Sequence, residues 1–343
     1  MQLGATIRVG DDPDAFARHA SSLEKAGVDY LWAGEAYTAD AISALGFLAA
    51  VTERAKIGSA IMPIYTRTPT LIAMTAVGLD RLSKGRFVLG LGASGPQVIE
   101  GFHGLAYNSP LGRTREIIDI CRSVWRHDRL VHDGVSYRIP LPKDQGTGLG
   151  KALKIIDQPV RERVPIFVAS LGPKNVEMTA EVAEGWLPLH FWPERAASIW
   201  AHSLRAGSER RLPGLPPLEI VAGGLLAIGD DVGHLRDKAR PMLALYFGGM
   251  GSKERNFYND LLRRYGFEAE AAAIQDAYLG GDRKTAASIV PRELIDGMSL
   301  VGDRGFVRER VAAYRDAGVT VLNVEPVGPD PLRDIETVAE WLA

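Results

Sequence analysis

At 343 residues, with 46% hydrophobic and 24% charged side chains, the chain has the make-up of a globular protein with a sizeable core. Forty basic residues against 42 acidic ones leave a formal charge of -2, which excludes a global electrostatic pull toward nucleic acid or anionic membrane. Cys121 is the only cysteine, so an intrachain disulfide framework and a cysteine-built zinc site are excluded, and a reducing, cytoplasmic setting is expected.

Met1 to Gly10 lacks a basic segment followed by a long apolar stretch, so no signal peptide is expected. Leu3 to Arg8 reads as the first strand. Asp11-Asp12-Pro13 signals a helix start, and Phe16, Ala20 and Leu23 share one face of that helix. The helix ends at Gly27, and an apolar strand, Tyr30 to Ala33, follows. The same helix-glycine-strand junction recurs at Gly318 and, in a variant form, at Gly185; glycine suits the position after a helix because it accepts the left-handed conformation. Ala41 to Val51 is the nearest approach to a membrane span and is well short of the ~18 apolar residues required.

Further strands are expected at Lys56 to Ala60, Phe87 to Leu91, Pro165 to Ala169, Trp186 to Leu189, Glu219 to Ile228 and Val321 to Val324. Eight short strands alternating with helices imply parallel βαβ units, because parallel strands need crossover helices. The expected fold is α/β: a (β/α)8 TIM barrel forming one domain over residues 1–343, with an open doubly wound sheet as the rival. Two stretches do not fit simple βα units and are expected as insertions after strands 4 and 7. Leu130 to Gly150, with Asp133-Gly134, Pro140 and Pro142, reads as a hairpin followed by an excursion, and Met242 to Pro291 reads as helical.

Active sites of such barrels lie at the C-terminal ends of the strands, which directs attention to the segments just beyond them. Glu35 and Tyr37 follow the second strand; Glu35 can bond a cofactor ring N–H or carry a proton, or can be an ordinary loop acid in an ion pair. Tyr65 lies in the Pro-rich turn after the third strand, and Tyr37 and Tyr65 are both candidate substrate contacts. Gly92, Ala93, Ser94, Gly95, Pro96 and Gln97 follow the fourth, where glycines allow backbone to approach a planar ligand; Pro96 stands where a dinucleotide fingerprint would open its helix. Ala169, Ser170, Leu171, Gly172, Pro173, Lys174 and Asn175 end the fifth strand and begin a helix, the best local anion site in the chain, with N-capping by Ser170 as the plain alternative. His190 and Trp192, after the sixth strand, and His103 are candidate substrate contacts. Arg113 and Arg115 can reach a cofactor tail or lie on the surface. The seven histidines show no metal-ligand spacing, so no metal is expected, and a Gly-x-Ser-x-Gly elbow is absent.

Three segments together resemble the luciferase-like oxidoreductases, in particular their coenzyme F420-dependent branch: Ile61 to Pro69 with Tyr65-Thr66-Arg67, then Asp80-Arg81-Leu82-Ser83 through Phe87, then Gly90 to Gly104. The resemblance implies a deazaflavin cofactor, a non-prolyl cis peptide bond at Ala60-Ile61 supporting its ring, ring contacts from Glu35, Met62 and Gly92 to Gln97, the cofactor phosphate at Ser170 to Asn175, and a homodimer acting on a small organic substrate. FMN, in a monooxygenase of the same fold, and a non-catalytic flavin-binding protein are the alternatives within that fold, and an unrelated barrel lyase or isomerase lies outside it. One departure is informative: the sugar-phosphate dehydrogenase of the family has Asp-His after the second strand and an acid after the fourth, whereas Glu35-Ala36 and Gly95 stand here.

Overall fold

Eight parallel strands close on themselves in the computed structural model, which describes residues 1–343. They are β1 (Gln2–Thr6), β2 (Tyr30–Ala33), β3 (Lys56–Ser59), β4 (Phe87–Gly92), β5 (Ile166–Ala169), β6 (Gly185–Trp186), β7 (Glu219–Ala222) and β8 (Val321–Pro326). Each pairs with the next, and β8 returns to β1 with Gln2 opposite Val321, so this is a (β/α)8 TIM barrel and no sheet edge remains between its first and last strands.

The outer helices are α1 (Pro13–Lys25), α2 (Ala41–Val51), α3 (Pro69–Leu82), α4 (Pro110–Trp125), α5 (Pro173–Val182), α6 (Pro193–Ser208), α7 (Arg304–Asp316) and α8 (Pro331–Leu342). Most open on proline, whose missing N–H costs nothing in the first turn. Asp12, Thr68, Asp303 and Asp330 cap their helices with side-chain oxygens. No helix is long and apolar enough to cross a membrane.

Both expected insertions are present. His132–Asp133 and Arg138–Ile139 form an antiparallel hairpin after α4. Between β7 and β8 the chain runs through five helices: Arg240–Ala244, Phe257–Arg264, Glu268–Leu279, Arg283–Ile289 and Arg292–Met298. The sixth strand, expected from Trp186 to Leu189, is only Gly185–Trp186, and two further details differ from expectation. The seventh strand is broken at Gly223-Gly224, where an added Cβ would meet the Asn323 carbonyl oxygen at 2.0 Å and the Met298 carbonyl oxygen at 2.2 Å. Beyond the break, Leu225–Ile228 pairs with β8 and with an unforeseen three-residue strand, Leu300–Gly302.

A large apolar cluster fills the space between strands and helices, while Tyr30, Trp32, Val88, Phe167, Val221 and Val321 fill the barrel itself. Tyr30 and Trp32 stack at 5.3 Å. Toward the N-terminal ends of the strands, the Tyr30 hydroxyl donates to Glu219 at 2.9 Å and accepts from Lys56 Nζ at 2.6 Å. The barrel is therefore plugged by aromatic rings and a polar clasp, and a ligand can enter only at the other end.

Candidate active site

At the C-terminal mouth the chain bulges after β3. The Ala60-Ile61 peptide bond is cis, as the resemblance implied. Its neighbours hold it: Ala60 N–H donates to the Ala33 carbonyl at 2.8 Å, Glu35 N–H to the Ile61 carbonyl at 3.2 Å, and Met62–Pro63 pairs with Leu91 and Gly92. A side chain on Gly92 would run into Ile61, since an added Cβ would lie 2.8 Å from its Cγ1. Glycine there leaves the backbone bare beside the bulge.

Gly92 stands opposite Ala169 in the β4–β5 register, which puts Ala60 to Met62, Gly92 to Gln97 and Ala169 to Asn175 side by side on one flank of the mouth. Ser94 takes a left-handed conformation, φ 57°, and turns the chain into Gly95 and Pro96. Pro96 does not prevent a helix: a π-helical turn, Gln97–Phe102, starts immediately after it. Proline is tolerated there because the first N–H groups of a helix have no partner within it.

The start of α5 decides between capping and anion binding. Gly172 is the N-cap and no side chain caps the helix. Ser170 is buried and its hydroxyl faces Thr179 Oγ1 at 2.9 Å, so it is not the cap, while its carbonyl accepts from Trp186 Nε1 at 2.9 Å. The N–H groups of Gly172 and Lys174 have no partner in the chain, and Asn175 Oδ1 is sealed without one. Unsatisfied donors at the positive end of a helix suit an anion. The Lys174 ammonium adds no donor here: its side chain is 82% exposed and pairs with Glu177 at 3.1 Å, so the backbone supplies the donors.

Glu35 differs from expectation. Its two oxygens accept from Arg67 Nη1 and Nη2 at 2.6 and 2.9 Å, and Oε2 accepts the Ala41 N–H at 3.0 Å at the start of α2. The carboxylate clamps two mouth loops together instead of standing free as a proton carrier. Glu35→Ala leaves a largely buried Arg67 without its partner, and we expect a loss of about 3 kcal/mol in chemical denaturation. The pH dependence of any turnover should keep its inflections; a displaced one would restore Glu35 as the acid or base.

Trp192 is not in the mouth. It is the N-cap residue of α6, 5% exposed, with its indole 5.7 Å from Tyr265 and stacked 6.2 Å from Phe267. A Cβ on Gly297 would lie 2.4 Å from its Nε1, so the ring is core packing beneath the insertion helices. Tyr65 donates to the Asn108 carbonyl at 2.8 Å and packs 5.2 Å from Tyr107. Tyr37 is 51% exposed, with Phe102 6.3 Å away. Arg113 bonds Asn108 and Tyr137, and Arg115 pairs with Glu181, so neither guanidinium is free. His103 has a sealed, unpartnered Nε2 and lies edge-on to Phe102. His190 is buried in left-handed backbone, φ 55°; burial drops its pKa to about 3, so the ring is neutral at physiological pH.

Sequence reasoning missed the residues packed around His190. Tyr246 and Phe247 lie 4.9 and 5.1 Å from its ring and Tyr258 lies 6.0 Å away. All three come from the insertion after β7, where helical periodicity was the only visible signal.

The closed parallel barrel thus gathers a bulge, a glycine-rich strand end and an uncapped helix start on one flank of its mouth. The sequence profile of the luciferase-like monooxygenase family matches residues 1–321, and the chain belongs to that family. It is 40% identical over 342 residues, 98% of each chain, to a Mycobacterium tuberculosis protein provisionally named a coenzyme F420-dependent oxidoreductase. The 5,10-methylenetetrahydromethanopterin reductase of Archaeoglobus fulgidus is 27% identical over 92% of this chain and 91% of its own. Among solved structures, the coenzyme F420-dependent tetrahydromethanopterin reductase of Methanopyrus kandleri superposes with a TM-score of 0.80 at 22% identity, covering 99% of this chain and 97% of that one.

Proposed function

We propose that this chain is a coenzyme F420-dependent oxidoreductase that transfers a hydride between the deazaflavin and a small organic substrate. The observation that carries the reading is the uncapped start of α5, with free N–H groups at Gly172 and Lys174, beside the bare backbone of Gly92 and the Ala60-Ile61 bulge. The near full-length likeness to proteins named for F420 supports the choice of cofactor.

When bound, the deazaflavin supplies hydride chemistry; the protein supplies binding and orientation. The Gly172 and Lys174 N–H groups would hold the phosphate. Ile61 at the bulge after β3 and Gly92 to Gln97 would hold the ring. Glu35 and Arg67 keep the loops after β2 and β3 in place. The barrel plug excludes water from the opposite side.

Titrating the protein with F420 and, separately, with FMN while following cofactor fluorescence tests the reading. Micromolar or tighter binding of F420, with FMN weaker, is the expected result. Tight FMN binding without F420 binding would mark the chain as a flavin monooxygenase, and binding of neither would remove it from both activities.

A further inference from the structure

The mouth has a second wall that the proposed cofactor segments leave unused. Leu245–Gly249 forms a π-helical turn in the insertion and carries Tyr246. Asn256 caps the following helix by accepting from the Tyr258 and Asn259 N–H groups at 2.9 and 3.1 Å, and its amide donates to the Tyr246 and Phe247 carbonyls at 3.1 Å each. This one side chain fixes Tyr258 against Tyr246, with rings 4.8 Å apart and nearly perpendicular. His190 braces both rings.

The segment that carries the two phenols borders the mouth. The Tyr107 hydroxyl lies 3.4 Å from the Ser94 carbonyl after β4, and a Cβ on Gly95 would lie 3.7 Å from the Met250 carbonyl, so the insertion meets the proposed ring site directly. Neither the Tyr246 nor the Tyr258 hydroxyl is hydrogen-bonded within the chain, and neither is sealed off. Burial pushes both phenols above their ordinary acidity range, so they remain protonated and available as donors at neutral pH. Uncharged donors among aromatic rings suit an uncharged acceptor better than a carboxylate or phosphate.

We propose that Tyr246 and Tyr258 bind the oxygen of a neutral carbonyl substrate, a ketone or enone, and stabilise it as hydride arrives. The proposal rests on the oxidoreductase reading above. In the reducing direction a hydride from the reduced deazaflavin joins the carbonyl carbon. The C=O π pair moves onto oxygen, and that oxygen takes the proton of one phenol, which water restores. The substrate gains two electrons and two protons and the cofactor is oxidised. An alkoxide is a stronger base than a phenolate, so the transfer runs downhill even from a weakly acidic tyrosine.

Tyr246→Phe, Tyr258→Phe and the double variant test this with cyclohexenone and acetophenone as probes, together with F420 titration and thermal denaturation. The expected result is a fall in kcat/KM of about tenfold or more for each single variant, with the F420 Kd within twofold of wild type and the melting temperature held. Unchanged turnover in the double variant overturns the proposal, as does a wild type that binds F420 but reduces neither carbonyl. A wild type that binds no F420 fails at the earlier step, and the carbonyl site falls with it.

Discussion

Gly172→Asp is expected to strengthen the fold and disable the cofactor site in the same molecule. Gly172 sits at the N-cap of α5 with φ -70° and ψ 146°, a conformation open to any residue, and a Cβ there meets nothing within 4 Å. Aspartate at an N-cap accepts from the first-turn N–H groups and faces the positive helix end, which stabilises by about 1 kcal/mol. The same carboxylate occupies the donors assigned to the cofactor phosphate and repels it. An affinity loss of at least about a hundredfold follows, roughly 2.7 kcal/mol. Denaturation should therefore shift to higher denaturant while F420 binding collapses, and Gly172→Asn, a neutral cap, should bind more tightly than the aspartate variant. Affinity within threefold of wild type in Gly172→Asp would move the phosphate away from α5.

Gly90→Ala is expected to prevent folding or to cost more than about 4 kcal/mol. A Cβ at this position would lie 1.7 Å from the Ser59 carbonyl oxygen and 2.9 Å from its carbon, both backbone atoms of β3. No rotamer change relieves that overlap. The seam itself is tightly specified: Ser59 Oγ donates to the Gly90 carbonyl at 2.8 Å and accepts the Gly90 N–H at 2.9 Å. Gly95→Ala is the matched control, because its Cβ would lie no closer than 3.6 Å to any neighbour. Soluble expression and a denaturation midpoint near wild type are expected for Gly95→Ala alone. A Gly90→Ala protein as stable as wild type would mean that β3 and β4 can separate at little cost.

The contrast between these glycines marks what sequence carries locally and what it does not. Strand positions were legible because the helix-glycine-strand junctions at Gly27 and Gly318 are local devices, and both glycines do take positive φ. The loop after β5 was legible for the same reason: a strand end followed by Gly172-Pro173 is a helix start wherever it occurs. The partner of Glu35 was not legible. Arg67 lies 32 positions away, and a loop carboxylate waiting for a substrate looks the same in sequence as one already paired. Trp192 was misplaced because an apolar run after a strand does not say which way Pro193 will turn it. The break at Gly223-Gly224 depends on Asn323 and Met298 crossing close by, a contact that only the closed barrel creates. Tyr246 and Tyr258 belong to an insertion whose sequence shows helices without showing what they cover.

The aromatic plug of Tyr30 and Trp32, with the Lys56–Tyr30–Glu219 clasp, closes one end of the barrel. If the chain takes the proposed coenzyme and substrate, both would have to share a single doorway. Two reactants that use one doorway cannot come and go independently: the one seated deeper must arrive first and depart last. The expected result is compulsory-order kinetics, read from product-inhibition patterns, with the order imposed by the architecture.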